Sequence, residues 1–169
     1  MDRAEVVHAL RALGADLQRS GITADIYVVG GAAIALAYDE RRSTRDIDAV
    51  FVPKIEVYLA AGRVGEALGL PEGWLNDAVK GFLLGPDPFD TEIIELPGLR
   101  CEVASAEMVL VLKCLAHRIG EDDEDVALLA GKAGLRSAPE VLDLVARVAP
   151  ERLLTPQVRF FVEAVLDDA

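Results

Sequence analysis

The chain has 169 residues, 52% of them hydrophobic and 27% charged, and this composition excludes intrinsic disorder as its main character. The formal net charge of −12 excludes a basic surface over the whole molecule, so a nucleic acid would need a local basic patch, a metal ion or a partner protein. No apolar run reaches the length of a membrane span and no signal-peptide pattern opens the sequence, which predicts that no membrane is a partner. Cys101 and Cys114 lack metal-ligand spacing, so we expect two buried thiols in a reduced, cytoplasmic protein.

Helical and strand patterns alternate through the first hundred residues. Apolar residues at intervals of three and four indicate helices, while short apolar runs next to glycine or proline indicate strands. The predicted elements are a helix over 4–19, a strand over 26–29, a short helix over 32–38, a polar loop over 39–45, a strand over 46–52, a helix over 55–68, and a hairpin of two strands over 91–96 and 99–103.

After residue 104 the pattern becomes helical and stays so. Helix starts are indicated by capping residues or by an acidic first turn, at Ser105, at 121–125, at the capping-box pattern Ser137-Ala-Pro-Glu140 and at Thr155-Pro156. The sequence therefore predicts an α/β (α+β) chain, with a core over residues 1–104. Residues 105–169 are predicted to form a helical C-terminal subdomain that shares this core.

Asp46 and Asp48 lie two residues apart on the second predicted strand. Because side chains alternate across a strand, both carboxylates are expected on one face, where they repel each other unless a cation lies between them. Mg²⁺ suits such a site, since it takes oxygen ligands and keeps waters and substrate phosphates in its shell. A solvated strand face is the alternative, but Ile47, Val50 and Phe51 make this strand apolar, so we predict a metal site.

Gly30-Gly31 stands between a predicted strand and a predicted helix. Glycines at such a turn let the backbone approach a phosphate, and the helix N-terminus adds N–H groups. The segment is neither a P-loop nor a dinucleotide-binding fingerprint, because GxxxxGK[ST] and GxGxxG are both missing there. The order of strand, Gly-Gly, short helix, polar loop with Thr44, and then Asp46-Ile47-Asp48 is more specific than either part alone.

The stretch VVGGAAIALAYDERRSTRDIDAVF resembles the minimal nucleotidyltransferases of bacterial toxin–antitoxin systems, which include the AbiEii-like and mycobacterial toxins. Two further stretches, WLNDAV and VASAEMVLVLKCLAHRIGEDDEDVALL, are similar to a small actinobacterial, DUF6036-like branch of that group, so the resemblance covers most of the chain. It implies a polymerase-β-type nucleotidyltransferase fold, in which a small mixed sheet is flanked by helices and followed by a helical C-terminal part. It also implies an enzyme that uses Mg²⁺ or Mn²⁺ and a nucleoside triphosphate such as ATP. The implied acceptor is the 3′ end of tRNA, and the implied protein partner is a cognate antitoxin.

The resemblance also assigns roles to individual residues. The residues that would bind the nucleotide are Gly30, Gly31, Ser43, Thr44, Arg45 and Lys113. The metal would be held by Asp46 and Asp48, which form the catalytic set together with Lys113 and Asp122. Asp125 is the alternative to Asp122 as a later acid that orients the site or acts as a base.

Each of these assignments has a simpler alternative that the residues alone leave open. A lone lysine such as Lys113, in the apolar helix MVLVLKCLA, usually extends its charge to solvent. The acidic residues of 121–125 suit the first turn of a helix because of the helix dipole. The arginines of the 39–45 loop are either a solvated surface or the local basic patch that an acidic protein needs for a triphosphate or an RNA end.

The third carboxylate that polymerase-β enzymes commonly take from a later strand has no convincing motif here. Glu102 is the best candidate by position, followed by Glu92. An inactive or weakly active module of the same fold, which pairs with another protein, is therefore the alternative to an enzyme. A protein hydroxyl or a small molecule such as an aminoglycoside is the alternative acceptor, because the sequence has no exposed aromatic series or long basic stripe that would select RNA.

Overall fold

The computed structural model describes residues 1–81 and 85–167 and confirms a mixed α/β chain. In chain order, the elements are α1 (Arg3–Arg19), β1 (Ala24–Val28), α2 (Gly30–Ala33), β2 (Ile47–Val52), α3 (Lys54–Leu68), β3 (Leu75–Asn76), β4 (Glu92–Leu96), β5 (Leu99–Val103), α4 (Ala106–Ala116), α5 (Asp123–Lys132), α6 (Ala138–Val148) and α7 (Pro156–Asp167). Helix α2 continues as a π-helical turn, Ile34–Tyr38, and short 3₁₀ turns form at Ala78–Gly81 and Glu151–Leu153. The chain divides into two compact units, Met1–Leu83 with Thr91–Ala104, and Leu84–Asp90 with Ser105–Ala169.

The first unit contains one five-stranded sheet in the order β3-β2-β1-β5-β4. The central strand β1 is antiparallel to β2 and parallel to β5. Strands β4 and β5 form the predicted antiparallel hairpin, and the short β3 pairs in parallel with β2. The sheet is therefore mixed, as expected.

The two faces of this sheet differ in polarity because the strand residues alternate. On the apolar face, side chains from the three central strands are buried, among them Ile26, Val28, Ile47, Phe51, Cys101 and Val103. Helices α1 and α3 pack together in the same unit and contact β5 and β2. The opposite face, called the polar face below, carries half-buried or exposed side chains, among them Asp25, Tyr27, Asp48 and Glu102.

Helices α1 and α3 are joined by an ion pair at Asp16. The Arg63 Nε group of α3 donates to Asp16 Oδ2 at 3.0 Å, and Arg19 Nη2 donates to Asp16 Oδ1 at 2.8 Å. The hydrogen bond from Arg63 is the main reason why the pKa of Asp16 lies below its usual value. Asp16 is 7% exposed, so this carboxylate is a buried charge that the two arginines compensate.

Helix α1 also contacts the turn between β4 and β5 through two glycines. A Cβ at Gly14 would lie 2.4 Å from the carbonyl oxygen of Pro97, and a Cβ at Gly98 would lie 2.3 Å from the carbonyl oxygen of Gly14. Real Cβ atoms do not approach backbone this closely, so both positions require glycine.

The second unit is built from helices α4 to α7. Two of its predicted caps are confirmed: the Ser105 hydroxyl accepts from the Met108 backbone N–H at 3.0 Å, and the Thr155 hydroxyl accepts from that of Val158 at 3.4 Å. The predicted capping box before α6 is only partly correct. The Ser137 side chain makes no cap hydrogen bond, whereas Glu140 Oε2 accepts from the Arg136 backbone N–H at 2.7 Å.

Both cysteines are buried and unpaired, as predicted. Burial raises the pKa of Cys101 and of Cys114 to about 12, because the charged thiolate would lose its hydration. Neither thiol is therefore a reactive nucleophile at neutral pH. Within the described ranges, no helix combines the length and apolar character that a membrane span requires.

Candidate functional site

The turn after β1 places two glycines against polar side chains of the first unit. Gly30 has a φ of +61°, in the left-handed region, and a Cβ there would lie 3.2 Å from Asp48 Oδ2. A Cβ at Gly31 would lie 2.9 Å from the Thr44 hydroxyl oxygen. The structure therefore brings together four of the residues that the sequence predicted for the site, and a side chain at either glycine would press on the Asp48 carboxylate or the Thr44 hydroxyl.

The loop before β2 is fixed at Thr44. The Thr44 hydroxyl donates to the carbonyl oxygen of Asp46 at 2.9 Å, and the Thr44 backbone N–H donates to the carbonyl oxygen of Met1 at 2.8 Å. Asp46 directly precedes β2, which begins one residue later than the sequence predicted. At the other end of the turn, the Val29 N–H donates to the carbonyl oxygen of Asp48 at 3.0 Å. Asp46 and Asp48 are both half-buried.

The remaining loop residues differ in how they are engaged. Ser43 and Arg45 are exposed. Arg41 forms an ion pair with Asp39 (Nε to Oδ1, 3.0 Å), so part of its charge is already compensated. Arg45 has no ion-pair partner among the described residues, which leaves its guanidinium available to a phosphate.

Asn76 is a site residue that the sequence reasoning missed. It lies on β3, directly opposite Asp48 in the β2–β3 register. Its side-chain N–H₂ donates to Asp46 Oδ2 at 3.2 Å. The only signal in the sequence was the position of Asn76 within WLNDAV, a stretch of the stated resemblance. Nothing in that pattern indicates that β3 pairs with β2.

No carboxylate lies level with Asp48 on the far side of β1. Val28 of β1 is opposite Ala49 of β2 and Val103 of β5. One residue further along the chain, Val29 is therefore level with Asp48 on one side and with Ala104 on the other. Glu102 shares the polar face but lies two residues earlier, where it is engaged by the Thr91 hydroxyl at 2.9 Å. The other candidate, Glu92, is opposite Val103 and so lies on the opposite face, because strand partners share a face.

The groups at this place that could ligate a metal all present oxygen, since the Asn76 carboxamide nitrogen donates a hydrogen bond to Asp46 and is not a ligand. Two carboxylates, a threonine hydroxyl and backbone carbonyls suit Mg²⁺ or Mn²⁺ better than a softer metal. Within residues 1–81 and 85–167, no group of three or more histidine, cysteine, aspartate or glutamate side chains is arranged to hold a metal. Two carboxylates still fit Mg²⁺, which is commonly held by one or two protein carboxylates with substrate phosphates completing its shell.

Lys113 and Asp122 lie together in the second unit. Lys113 Nζ is 2.5 Å from Asp122 Oδ1 and 2.8 Å from Asp125 Oδ2, and Arg118 Nε is 2.9 Å from Asp122 Oδ2. Asp122 is 1% exposed and Lys113 is 9% exposed. The interpretation that Lys113 extends to solvent is therefore wrong. Two cations and two anions compensate one another between α4 and α5.

His117 ends α4 in the left-handed region, with a φ of 39°, and its Nδ1 lies 2.8 Å from the carbonyl oxygen of Leu115. This contact lies within the last turn of the helix.

The first unit places a glycine turn beside Asp48 and Thr44, with Asp46 and the exposed Arg45 on the segment that follows Thr44. The glycine turn offers close backbone approach, Asp46 and Asp48 offer charge for a cation, and Arg45 offers a charge for phosphate. Comparison with protein-family models, with curated proteins and with solved structures gives no match for this chain.

Proposed function

We propose that this chain is a magnesium-dependent nucleotidyltransferase with a polymerase-β-type fold. The observation that carries the proposal is the contact of the glycine turn with the acidic strand: Gly30 lies against Asp48, and Gly31 lies against Thr44. A phosphate bound to this turn would be next to the two carboxylates, so that a cation and a triphosphate would share one place. The resemblance of the same stretch to minimal nucleotidyltransferases supports the same function.

The protein groups would act mainly by binding and orientation. Gly30 and Gly31 admit the phosphates to the backbone, and Arg45 compensates their charge. Asp46 and Asp48 would hold Mg²⁺, which when bound supplies positive charge to the triphosphate. The acceptor hydroxyl oxygen would form a bond to the α-phosphorus while the bond to the β-phosphate oxygen breaks. Pyrophosphate would leave with that electron pair, and the hydroxyl proton would pass to water. Alignment of the two reactants supplies a large part of such catalysis.

The acceptor is proposed from the resemblance alone. It favours the 3′ end of tRNA and a toxin-like role beside a cognate antitoxin. The net charge of −12 argues against a large RNA interface, so the contact with tRNA would be confined to its end. A protein hydroxyl and a small molecule are the other acceptors that an experiment should include.

A second candidate function is a nucleotide-binding module without transfer, which pairs with another protein. The position of Ala104 favours it, because no carboxylate stands level with Asp48 on that side. Glu102, the nearest carboxylate of the polar face in β5, already accepts a hydrogen bond from Thr91. Such a module would bind nucleotide and release no pyrophosphate.

The test is a transfer assay with matched variants. The purified chain is incubated with each labelled nucleoside triphosphate, Mg²⁺ or Mn²⁺, and total tRNA, a protein mixture or an aminoglycoside. We expect label in tRNA, and a loss of at least about 100-fold in Asp48→Asn, because charge compensation at the phosphates is worth several kcal/mol. Asp25→Asn is the control, since Asp25 is exposed on the same polar face and takes no part in the site.

The outcomes separate the two candidates. Transfer that survives in Asp48→Asn would rule out the assigned site. Binding of a nucleoside triphosphate with Mg²⁺, seen as a thermal shift without transfer to any acceptor, would favour the binding module. Absence of both binding and transfer would contradict both functions.

A further inference from the structure

Asn76 has a defined orientation beside the two aspartates. Its side-chain N–H₂ donates to Asp46 Oδ2 at 3.2 Å, and its side-chain oxygen accepts from the Ala78 backbone N–H at 3.1 Å. These two partners fix the orientation of the carboxamide. Its nitrogen faces the Asp46 carboxylate, which can only accept, and its oxygen faces the Ala78 N–H group, which can only donate. Asn76 is also opposite Asp48 in the strand register.

The segment around Asn76 is attached to α3 on both sides. Before it, Trp74 is 3% exposed and its indole N–H donates to the carbonyl oxygen of Ala61 at 3.0 Å. After it, Asp77 accepts a hydrogen bond of 2.6 Å from the Tyr58 hydroxyl. Two anchors on one helix leave little freedom for the two-residue strand between them. The position of the carboxamide is therefore set by the fold and not by the aspartates alone.

The hydrogen bond has a consequence for Asp46. One of its two carboxylate oxygens accepts a hydrogen bond from Asn76, which makes the other oxygen the better ligand for a cation. Mg²⁺ is small, demands octahedral geometry and is bound through few protein carboxylates, whereas Ca²⁺ takes more oxygens and often both oxygens of one carboxylate. A donor beside Asp46 also reduces its repulsion with Asp48.

We propose that Asn76 is the positioning residue for Asp46 and that it favours Mg²⁺ and Mn²⁺ over Ca²⁺ at the site. This inference rests on the proposed function, since it needs a cation on Asp46 and Asp48. Groups that orient metal ligands typically contribute about 10- to 100-fold to metal affinity. Asn76 acts through Asp46, so its effect must vanish when Asp46 no longer binds the cation.

A double-mutant cycle on metal binding tests the inference without an activity assay. The affinity for Mn²⁺ is measured by calorimetry for the wild type, Asn76→Ala, Asp46→Asn and the double variant, and Ca²⁺ competition is measured on the first two. We expect Asn76→Ala to weaken Mn²⁺ binding about tenfold and to narrow the preference for Mn²⁺ over Ca²⁺. In the Asp46→Asn background, Asn76→Ala should have no further effect.

A second variant covers the possibility of misfolding. In Asn76→Ser the hydroxyl can still accept from the Ala78 backbone N–H but is too short to reach Asp46, so the same loss of Mn²⁺ affinity is expected in a chain with an unchanged melting temperature. Additive effects in the cycle, or unchanged Mn²⁺ affinity in both Asn76 variants, would overturn the positioning role and leave the proposed function standing. Unchanged Mn²⁺ affinity in Asp46→Asn would overturn the metal site and the positioning role together.

Discussion

The two glycines after β1 have different reasons to be glycine. Gly30 has a left-handed backbone and also lies against the Asp48 carboxylate, while Gly31 lacks the left-handed backbone and is constrained by its contact with the Thr44 side chain. At Gly30 a side chain would cost conformational energy and would also displace a proposed metal ligand. The two effects can be separated, because other glycines of the chain have the same backbone conformation in open space.

Gly30→Ala is expected to lose both stability and nucleotide binding. The left-handed conformation costs a non-glycine residue about 1–2 kcal/mol, and the new methyl group would push against Asp48 Oδ2. Urea unfolding should show the loss of stability. The thermal shift caused by a nucleoside triphosphate with Mg²⁺ should be absent.

Gly69→Ala is the matched control. Gly69 has a φ of +66°, and a Cβ there meets no atom within 4 Å. It should lose a similar amount of stability and keep the full nucleotide-dependent shift. If both variants keep that shift, the glycine turn is not a phosphate site.

At the scale of elements, α4 and α5 are joined by the buried charges of Lys113, Asp122 and Asp125, and the exposed Arg118 also contacts Asp122. The resemblance assigns Lys113 to phosphate binding, whereas the structure shows its ammonium group in contact with two aspartates. Both interpretations make Lys113 important. Phosphate binding predicts that its substitution abolishes nucleotide binding, whereas the ion pairs predict that its substitution lowers stability. A buried ion pair is strongly destabilising when one partner is removed, because the other charge stays uncompensated.

Lys113→Met is expected to lower the free energy of unfolding by about 3 kcal/mol, since the buried Asp122 and Asp125 would both lose the ammonium group that they contact. Lys132→Met serves as control, because Lys132 is exposed in the last turn of α5 and should change stability by less than about 0.5 kcal/mol. Urea titration followed by circular dichroism measures both. A Lys113→Met chain with wild-type stability and no nucleotide binding would favour the phosphate role instead.

The element scale also shows what the sequence could and could not predict. The spacing of Asp46 and Asp48 predicts a shared face, because strand alternation is local, and in the structure β2 begins between them, at Ile47. The partner of Asp46 was not predictable, since β3 has two residues and its pairing with β2 joins segments about 30 positions apart without any periodic pattern. The burial of Lys113 was missed for a similar reason. Its partners lie beyond the end of α4, where the helical pattern carries no information about which charges meet.

Strand register also explains why the sequence could not show whether a third carboxylate lies beside Asp48. A sequence shows that Glu92 and Glu102 lie in strands, but it does not show which residue stands level with Asp48. That place belongs to Ala104 because of the parallel pairing of β1 with β5. The mixed α/β class was predictable from local patterns alone, whereas the composition of the site depended on the register.

At the scale of the whole molecule, the acidic composition makes stability depend on pH. Among the residues that the structure describes, Asp16, Asp39 and Glu140 have pKa values below the usual ones. Hydrogen bonds are the leading cause for each: from Arg63 to Asp16, from Arg41 to Asp39, and from the backbone of Arg136 to Glu140. A depressed pKa in the folded state stabilises the fold above the unfolded pKa, and this contribution is lost as the pH falls through the folded value.

Asp16→Asn is expected to be less stable than the wild type at pH 7, and the difference should shrink as the pH falls below the ordinary value of 3.8. Protonation then removes from the wild type the same charge that the substitution removes. Urea midpoints at pH 7, 5 and 3 measure the difference. Asp143→Asn, at an exposed position of α6, changes the net charge equally and should show little difference at any pH. A gap between Asp16→Asn and the wild type that is as large at pH 3 as at pH 7 would contradict the assignment.

The glycine pair between α1 and the β4–β5 turn has a consequence for how this chain can vary. Glycine in the middle of a helix disfavours the helix by about 1 kcal/mol relative to alanine, so α1 as an isolated peptide would become more helical if Gly14 were alanine. In the folded protein the same methyl group would meet the carbonyl oxygen of Pro97. Gly98 already has the smallest possible side chain and cannot shrink to make room. A change at one glycine thus has no compensating change at the other, and the helix keeps a weak residue so that the hairpin can lie against it.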